Sequence, residues 1–460
     1  MKIYNTYTRE KEDFKPIEEK KVRMYVCGPT VYDYIHIGNA RPVIFFDVVH
    51  RYFKLNDHEV DYVSNITDVD DKIVNKAQAE RVSEAEISEK YFDQYLADCQ
   101  ALNVLPICAM PKVTESIEEI ISFIDTLVQD GFAYAVDGDV YFRVEKAAHY
   151  GTLSGKKMDD LRAGARVEAN DKKENPLDFT LWKKTDVGLT WTSPWGAGRP
   201  GWHTECVVMV EHEFKGKIDI HGGGSDLQFP HHENEIAQSL CQAGHRIANT
   251  WMHVGRLGLD GEKMSKSIGN VVLVKDLLKD WGADVIRLFM LSTHYRQPIS
   301  FSYEVLEVAK KEWMKVTQAY DALHTYLDLK DTLDGRRIPM LVFPEQLGAV
   351  LEIVDMMEDV KKDFKAAMED DFNTANAITA LYALVKLVNK LLRNEEGDVI
   401  LIEVLKLFDY VLDALGFAHV KKLLSLEDKQ LYRDWQEARE NEDFELADQL
   451  RKLLQERKIV

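Results

Sequence analysis

Apolar residues fall along this chain in two rhythms. As far as about residue 300 they come as short β-prone runs separated by helical stretches. Val22 to Cys27 is such a run, closed by the turn pair Gly28-Pro29, and it predicts a strand. A helix is expected from about Gly38 through Tyr52, and a second strand over Val60 to Ile66. Strand, helix and strand in that order imply a parallel unit, hence a doubly wound α/β sheet. Residues from roughly 100 to 200 read as an insertion. It carries an amphipathic helix around Ile117–Leu127, a hairpin near Val136–Val144 and a Gly/Trp/Pro-rich stretch from Trp191 to Trp202. The α/β pattern returns at Ile218-Asp219-Ile220-His221, followed by glycines and a helix starting near Pro230.

From about Tyr303 the rhythm changes to all-helical. Ile378, Leu381, Leu384, Val385, Val388, Leu391 and Leu392 recur at three and four, which is one face of a helix, with Asn373 or Thr374 as its N-cap. The charged C-terminal stretch carries a second stripe, Phe444, Ala447, Leu450 and Leu454.

Composition narrows the class. The 460 residues are too many for one core, and 45% hydrophobic with 30% charged content describes an ordinary globular chain. No apolar run approaches bilayer length and the N-terminus lacks a signal-type apolar segment, so no membrane association is expected. Five scattered cysteines argue against a disulfide framework and for a reducing cytoplasm. The net charge of −20 argues mildly against a nucleic-acid partner. A basic face can still coexist with acidic helices elsewhere, and such a face is expected if the partner is RNA.

Two short motifs suggest phosphate chemistry. His36-Ile37-Gly38-Asn39 opens a helix just after the first strand; a helix N-terminus offers free N–H groups, Gly38 permits close approach and His36 can donate. Lys263-Met264-Ser265-Lys266-Ser267 places two lysines among small hydroxyls, which suits a developing pyrophosphate charge. Each alone is common as an ordinary surface loop. The pair, in this order and split across an α/β domain, resembles class I aminoacyl-tRNA synthetases. That resemblance implies that His36, Gly38, Asn39, Lys263, Ser265, Lys266 and Ser267 bind ATP and act in catalysis. Asn39 stands where the class usually has a second histidine.

A third constellation carries a finer resemblance. Cys27 ends the first strand, Cys206 lies in Gly198-Arg199-Pro200-Gly201-Trp202-His203-Thr204-Glu205-Cys206, and His231 and Glu235 sit four apart on one helical face. Two cysteines, a histidine and a carboxylate suit a tetrahedral zinc site, but spacing alone leaves His232 as an alternative to His231. These segments, with Met24 to Asp33 and His221-Gly222-Gly223-Gly224-Ser225-Asp226-Leu227, resemble those of cysteinyl-tRNA synthetases. The resemblance implies a Rossmann-type catalytic domain with an inserted connective region, then an all-α bundle: a catalytic domain over 1–300, a helical tRNA-binding domain over 301–395 and an anticodon-binding region over 396–460. It further implies zinc, one per subunit, on Cys27, Cys206, His231 and Glu235. Thr67, Trp202, Gly222, Gly224 and Asp226 would frame adenosine and cysteine. The substrates would be L-cysteine, ATP with Mg and tRNA(Cys), and the protein a monomer. A sulfur-preferring metal would separate cysteine from serine where shape alone discriminates poorly. The nearest alternative is a cysteine ligase of the mycothiol pathway, acting on an amino sugar, which would lack a full helical bundle. The chain ends at Lys458-Ile459-Val460, where many members of the family continue with a short Gly/Thr/Trp-containing tail.

Overall fold

The computed structural model describes residues 1–156, 172–259, 262–263, 271–330, 332–333, 347–394, 398–457 and 459. By contact the chain divides into two compact units, Met1–Leu306 with Met368–Thr374, and Glu307–Ala367 with Ala375–Val460.

The first unit is built on parallel strands, numbered here in chain order. After a short antiparallel pair, β1 (Lys2–Asn5) and β2 (Glu10–Asp13), come β3 (Lys21–Val26), the helix α1 (Ile37–Leu55) and β4 (Glu59–Val63). With β10 (Ile218–Gly224) and β11 (Ala248–Val254), β3 and β4 make a four-stranded sheet in the order β11-β10-β3-β4. Every pairing in it is parallel. Val22, Met24, Tyr25 and Val26 are all buried. Apolar residues on successive positions are what a strand covered on both faces requires, and they explain why β3 reads as a continuous run.

The expected helix is longer by about a turn at its C-terminus and starts one residue earlier. Its N-terminus is fixed by a reciprocal cap: the Asn39 N–H donates to His36 Nδ1 at 3.3 Å, and Asn39 Oδ1 accepts from the His36 N–H at 3.1 Å. Pro42 sits near enough to the start that it frees only the carbonyl of Gly38. β4 stops at Val63 instead of Ile66, because beyond it the backbone turns to a new neighbour. The Ser64 and Ile66 N–H groups donate to the carbonyls of Ala109 and Pro111.

The insertion folds as an antiparallel sheet beside the helix α4 (Ile117–Gln129), which follows α2 (Asp71–Glu80) and α3 (Glu84–Ala101). Its strands are β5 (Ala133–Val136), β6 (Asp139–Phe142), β7 (Phe179–Lys184), β8 (Trp191–Ser193) and β9 (Gly196–Pro200), in the order β5-β6-β7-β9-β8. The hairpin lies about three residues earlier than expected. Asp137 and Gly138, both at positive φ, form its two-residue turn. Ile120, Ile124 and Leu127 of α4 pack in one core with Tyr25, Trp182, Cys206 and Trp251. The insertion therefore shares its interior with the parallel sheet.

The rest of this unit comprises α5 (Glu205–Phe214), α6 (Glu233–Ala243), β12 (Leu257–Leu259), β13 (Glu262–Lys263), α7 (Val274–Trp281), α8 (Ala283–Leu291) and β14 (Ile299–Phe301). The stretch 368–374 returns to it. Asp371 is fully buried and accepts from the Tyr4 N–H, the Tyr295 hydroxyl and Arg296 Nε, each at 2.8 Å. Phe372 is buried against Phe45, Tyr52 and Phe53.

The second unit is helical in its described residues. The helix Thr374–Arg393 starts where its cap was expected, with Ile378, Leu381, Leu384, Val385, Val388 and Leu391 buried and Leu392 partly so. By length and composition it alone among the described helices is apolar enough to cross a membrane, but half of that stretch is already covered by protein. The last helix, Phe444–Glu456, buries Ala447 and Leu454, while Phe444 is 69% exposed. Phe444 is the first helical residue, one turn ahead of the packed stripe.

Candidate metal and nucleotide site

The sheet order locates the site. From β3 the chain passes through α1 to β4 on one side, and from β10 through α6 to β11 on the other. Adjacent strands whose connections diverge leave a crevice at their C-terminal ends. Cys27 directly follows β3, and its N–H donates to the Gly222 carbonyl of β10 at 3.1 Å. Gly222 admits no side chain, since a Cβ there would lie 2.1 Å from the Phe46 ring of α1. Gly28 is equally constrained, with a Cβ 1.7 Å from the Asn65 carbonyl oxygen.

Cys206 comes to the same place from the second residue of α5, and Glu235 from the first turn of α6, just after His231. The donor atoms of Cys27, Cys206, His231 and Glu235 all lie within 4.8 Å of one another. The two sulfurs are 3.6 Å apart, Cys206 Sγ is 3.6 Å from His231 Nε2, and Cys27 Sγ is 3.7 Å from Glu235 Oε1. Bonds of about 2.0–2.3 Å to a tetrahedral ion would hold ligands roughly 3.3–3.8 Å apart, so the donor set fits. One contact is closer, His231 Nε2 to Glu235 Oε1 at 2.9 Å. A second group, Cys27, His221, His232 and Glu235, meets the same distance criterion and shares two members with the first.

The charges in this cluster depend on one another. Burial pushes the Cys27 thiol well up. Burial would raise Cys206 too, but the hydrogen bond with Cys27 and the neighbouring His231 outweigh it and bring it down to about 6. For His231 burial works against the cation, yet the Glu235 carboxylate and Cys206 raise it to about 10. Glu235 stays well below the usual range despite its burial, because His221 and His231 flank it. His221 Nε2 holds the other carboxylate oxygen at 2.7 Å.

The surroundings are aromatic. Trp202 is 41% exposed, so it is no core residue; its ring stacks on His231 at 4.2 Å. A cavity of about 350 Å³ lies against Trp202, His203, Phe229 and Asn234. Thr67 is buried and donates to Glu205 Oε2 at 2.6 Å, beside Cys206. Gly224 ends β10, and Asp226 is exposed two residues on.

His36 stands at the start of α1, with Gly38 and Asn39 in its first turn. Because Nδ1 accepts from the Asn39 backbone, a neutral His36 ring carries its proton on Nε2. Asn39, in place of a second histidine, is thus half of the cap that sets this tautomer. Lys263 ends β13; Ser265, Lys266 and Ser267 lie outside the described residues.

Sequence reasoning named His232 as an alternative ligand but passed over the roles of His203, His221 and His253. His232 and His253 are buried together, with His232 Nδ1 2.8 Å from His253 Nε2 and His253 Nδ1 2.9 Å from Thr6 Oγ1. His203 Nδ1 meets His231 Nδ1 at 3.1 Å. For His203 and His221 the signal was their place in the quoted segments; His253 lies outside them and carried none.

Residues 13–311 match the family model of the class I (C) tRNA synthetase catalytic domain, and residues 363–419 match the DALR domain. The cysteine–tRNA ligase of Staphylococcus haemolyticus is 47% identical over 464 residues, covering 100% of this chain and 97% of that one. The cysteine–tRNA ligase of Staphylococcus aureus is 46% identical at the same coverage. Among solved structures, Mycobacterium tuberculosis methionyl-tRNA synthetase with methionyl-adenylate superposes with a TM-score of 0.64 at 16% identity, over 86% of this chain and 91% of that one. The last likeness is one of fold. On the full-length identity and the catalytic-domain match, the chain belongs to the cysteine–tRNA ligase family of class I tRNA synthetases.

Proposed function

We propose that this protein activates L-cysteine with ATP and transfers it to tRNA(Cys), with a zinc ion held by Cys27, Cys206, His231 and Glu235. The observation that carries the reading is the convergence of those four donors at the end of β3 and β10. His231 is preferred to His232 because its group includes the second sulfur. When bound, zinc supplies a soft site that favours a thiolate over a hydroxyl, so serine is rejected at binding. His221 orients Glu235 from behind the ligand shell. Thr67, Trp202 and Asp226 frame the amino acid and Gly224 borders adenosine, while Gly222 makes way for the Phe46 ring beneath them.

The cysteine carboxylate attacks the α-phosphate of Mg–ATP, and pyrophosphate leaves as cysteinyl-adenylate forms. His36, donating from Nε2, and Lys266 of the Lys263–Ser267 motif hold the phosphates against the charge that builds there. The helical unit and its DALR match favour tRNA over an amino sugar as acceptor. The protein acts as a monomer in the cytoplasm, where its five free thiols remain reduced.

Metal analysis of the purified protein together with cysteine-dependent ATP–pyrophosphate exchange tests the reading. One zinc per chain and exchange with cysteine are expected; exchange with methionine and none with cysteine would overturn the specificity. Transfer of labelled cysteine to an amino sugar and not to tRNA would overturn the acceptor.

A further inference from the structure

Arg41 is the most deeply buried cation near the start of α1, 2% exposed and five residues after His36. Among the described residues its guanidinium hydrogen-bonds to backbone only. Nη1 donates to the carbonyls of Gly255 at 2.6 Å and Arg256 at 3.2 Å, and Nη2 to that of His294 at 3.4 Å. Nε is buried without a partner. Burial lowers Arg41 to about 10, and no carboxylate among the described residues offsets it. A buried cation with no counter-charge is costly, and shape alone would be served by an apolar side chain.

The three carbonyls lie on the two segments that enter neighbouring strands of one short sheet. Gly255 and Arg256 lead into β12, whose partner β13 ends at Lys263; His294 precedes β14, which pairs with β12 in parallel. The two segments are also locked to each other. The Gly255 N–H donates to the Tyr295 carbonyl at 2.7 Å and the Ile299 N–H to the Arg256 carbonyl at 3.0 Å. A Cβ on Gly255 would lie 2.5 Å from the Gln297 carbonyl oxygen. On the far side of the Lys263–Ser267 motif, the chain is tied to the His36 turn directly. Leu273 bridges His36, the Ile37 N–H donates to the Val272 carbonyl at 2.9 Å and the Val274 N–H to the Ile35 carbonyl at 3.1 Å.

We propose that Arg41 is a positioning residue for adenylate formation: it fixes the chain entering the Lys263–Ser267 motif at a set distance from His36, as the Leu273 bridge fixes the chain leaving it. Arginine suits the task because its rigid planar fork spreads donors over separate nitrogens and so reaches two segments at once, whereas an ammonium donates from a single atom. The inference rests on the reading that the two motifs act together on ATP.

The test is single-turnover formation of cysteinyl-adenylate at saturating ATP and cysteine, normalised to active sites by titration, in the zinc-loaded protein. Arg41→Met and Gly255→Ala should each slow the rate constant per active site by about ten- to a hundred-fold, the scale of small misplacements of reacting groups. Zinc content and cysteine affinity should be unchanged, and Arg41→Lys should recover part of the rate. If Arg41 only supports folding, the fraction of active sites and the melting temperature fall while the rate constant per site stays within about two-fold; that result overturns the proposal. Should Arg41→Met fail to accumulate folded, Arg41→Lys decides on the same criterion. Lys266→Ala separates the two levels. If it slows adenylate formation while Arg41→Met and Arg41→Lys do not, the inference alone falls. If it has no effect, the reading of the motif falls and takes the inference with it.

Discussion

Two buried polar clusters in the first unit look alike by burial and differ in what their atoms can exchange. In one, Asp47 Oδ2 accepts from Arg51 Nε at 2.9 Å and Arg287 Nη2 at 2.6 Å, while Oδ1 accepts from the Leu105 N–H at 2.8 Å. The spare donors of those arginines reach the carbonyls of Asn103 and Leu102. Both carboxylate oxygens and both guanidinium groups are engaged within the protein. In the other, Cys27, Cys206, His231 and Glu235 bring two sulfurs, a ring nitrogen and a carboxylate oxygen to one point. That group has more lone pairs than protons to fill them. A saturated cluster braces α1 against α8; a cluster with surplus electron pairs is suited to receiving a cation.

Breaking the unsaturated cluster should have the largest effect on activity. Cys206→Ser is expected to lose bound metal and to lower cysteine-dependent exchange by more than the ~10–100-fold that loss of a supporting partner causes, with the fold retained by circular dichroism. Undiminished metal and exchange would remove Cys206 from the ligand set. A chelator should reproduce the loss in the unaltered protein, and added zinc should reverse it.

The saturated cluster should respond in stability and not in chemistry. Asp47→Ala removes the carboxylate shared by two buried guanidinium groups and should cost about 3–5 kcal/mol in denaturant unfolding, with metal content unchanged. Replacing Asp47, Arg51 and Arg287 together by apolar residues of similar volume should cost less than Asp47→Ala alone; a larger cost for the triple variant would end the contrast drawn here. His221→Gln lies between the two cases. It keeps the ligands but weakens the hold on Glu235, so metal affinity should fall ~10–100-fold, read by competition with a chromophoric chelator.

The smallest effect concerns pH. His50, on α1 and 3% exposed, is lowered by burial from 6.5 to about 4. Its folded value lies below its unfolded one, so between these values the unfolded chain binds the extra proton. The stability it allows is complete above about pH 6.5 and is lost as pH falls toward 4. His50→Gln should flatten the decline of melting temperature over that window; an unchanged slope would remove His50 from the acid response.

Much of this architecture was legible because parallel strands and packed helices impose their rhythm on the chain. β3, α1 and the helix at Thr374 all lie within a few residues of where the pattern placed them. The ends were less legible. β4 stops early because its backbone changes partner, and Phe444 is exposed because a stripe does not reveal which turn meets a neighbour. Among site residues, His36 and Asn39 could be read locally, since a helix cap is a short-range device. The stacking of Trp202 on His231 and the reach of Arg41 to Gly255 and His294 could not, since their partners lie far along the chain.

The sequence by itself determined the family, the two short motifs at His36 and Lys263 and the residue types able to hold a soft metal, because chemistry and local conformation are written in consecutive residues. Only the tertiary structure brought Cys27 to Cys206 across 179 positions. It also separated a group with two sulfurs from one with two histidines, and it tied both flanks of the second motif to the turn of the first. Distance in space is set by sheet order and core packing, and spacing along the chain does not encode it.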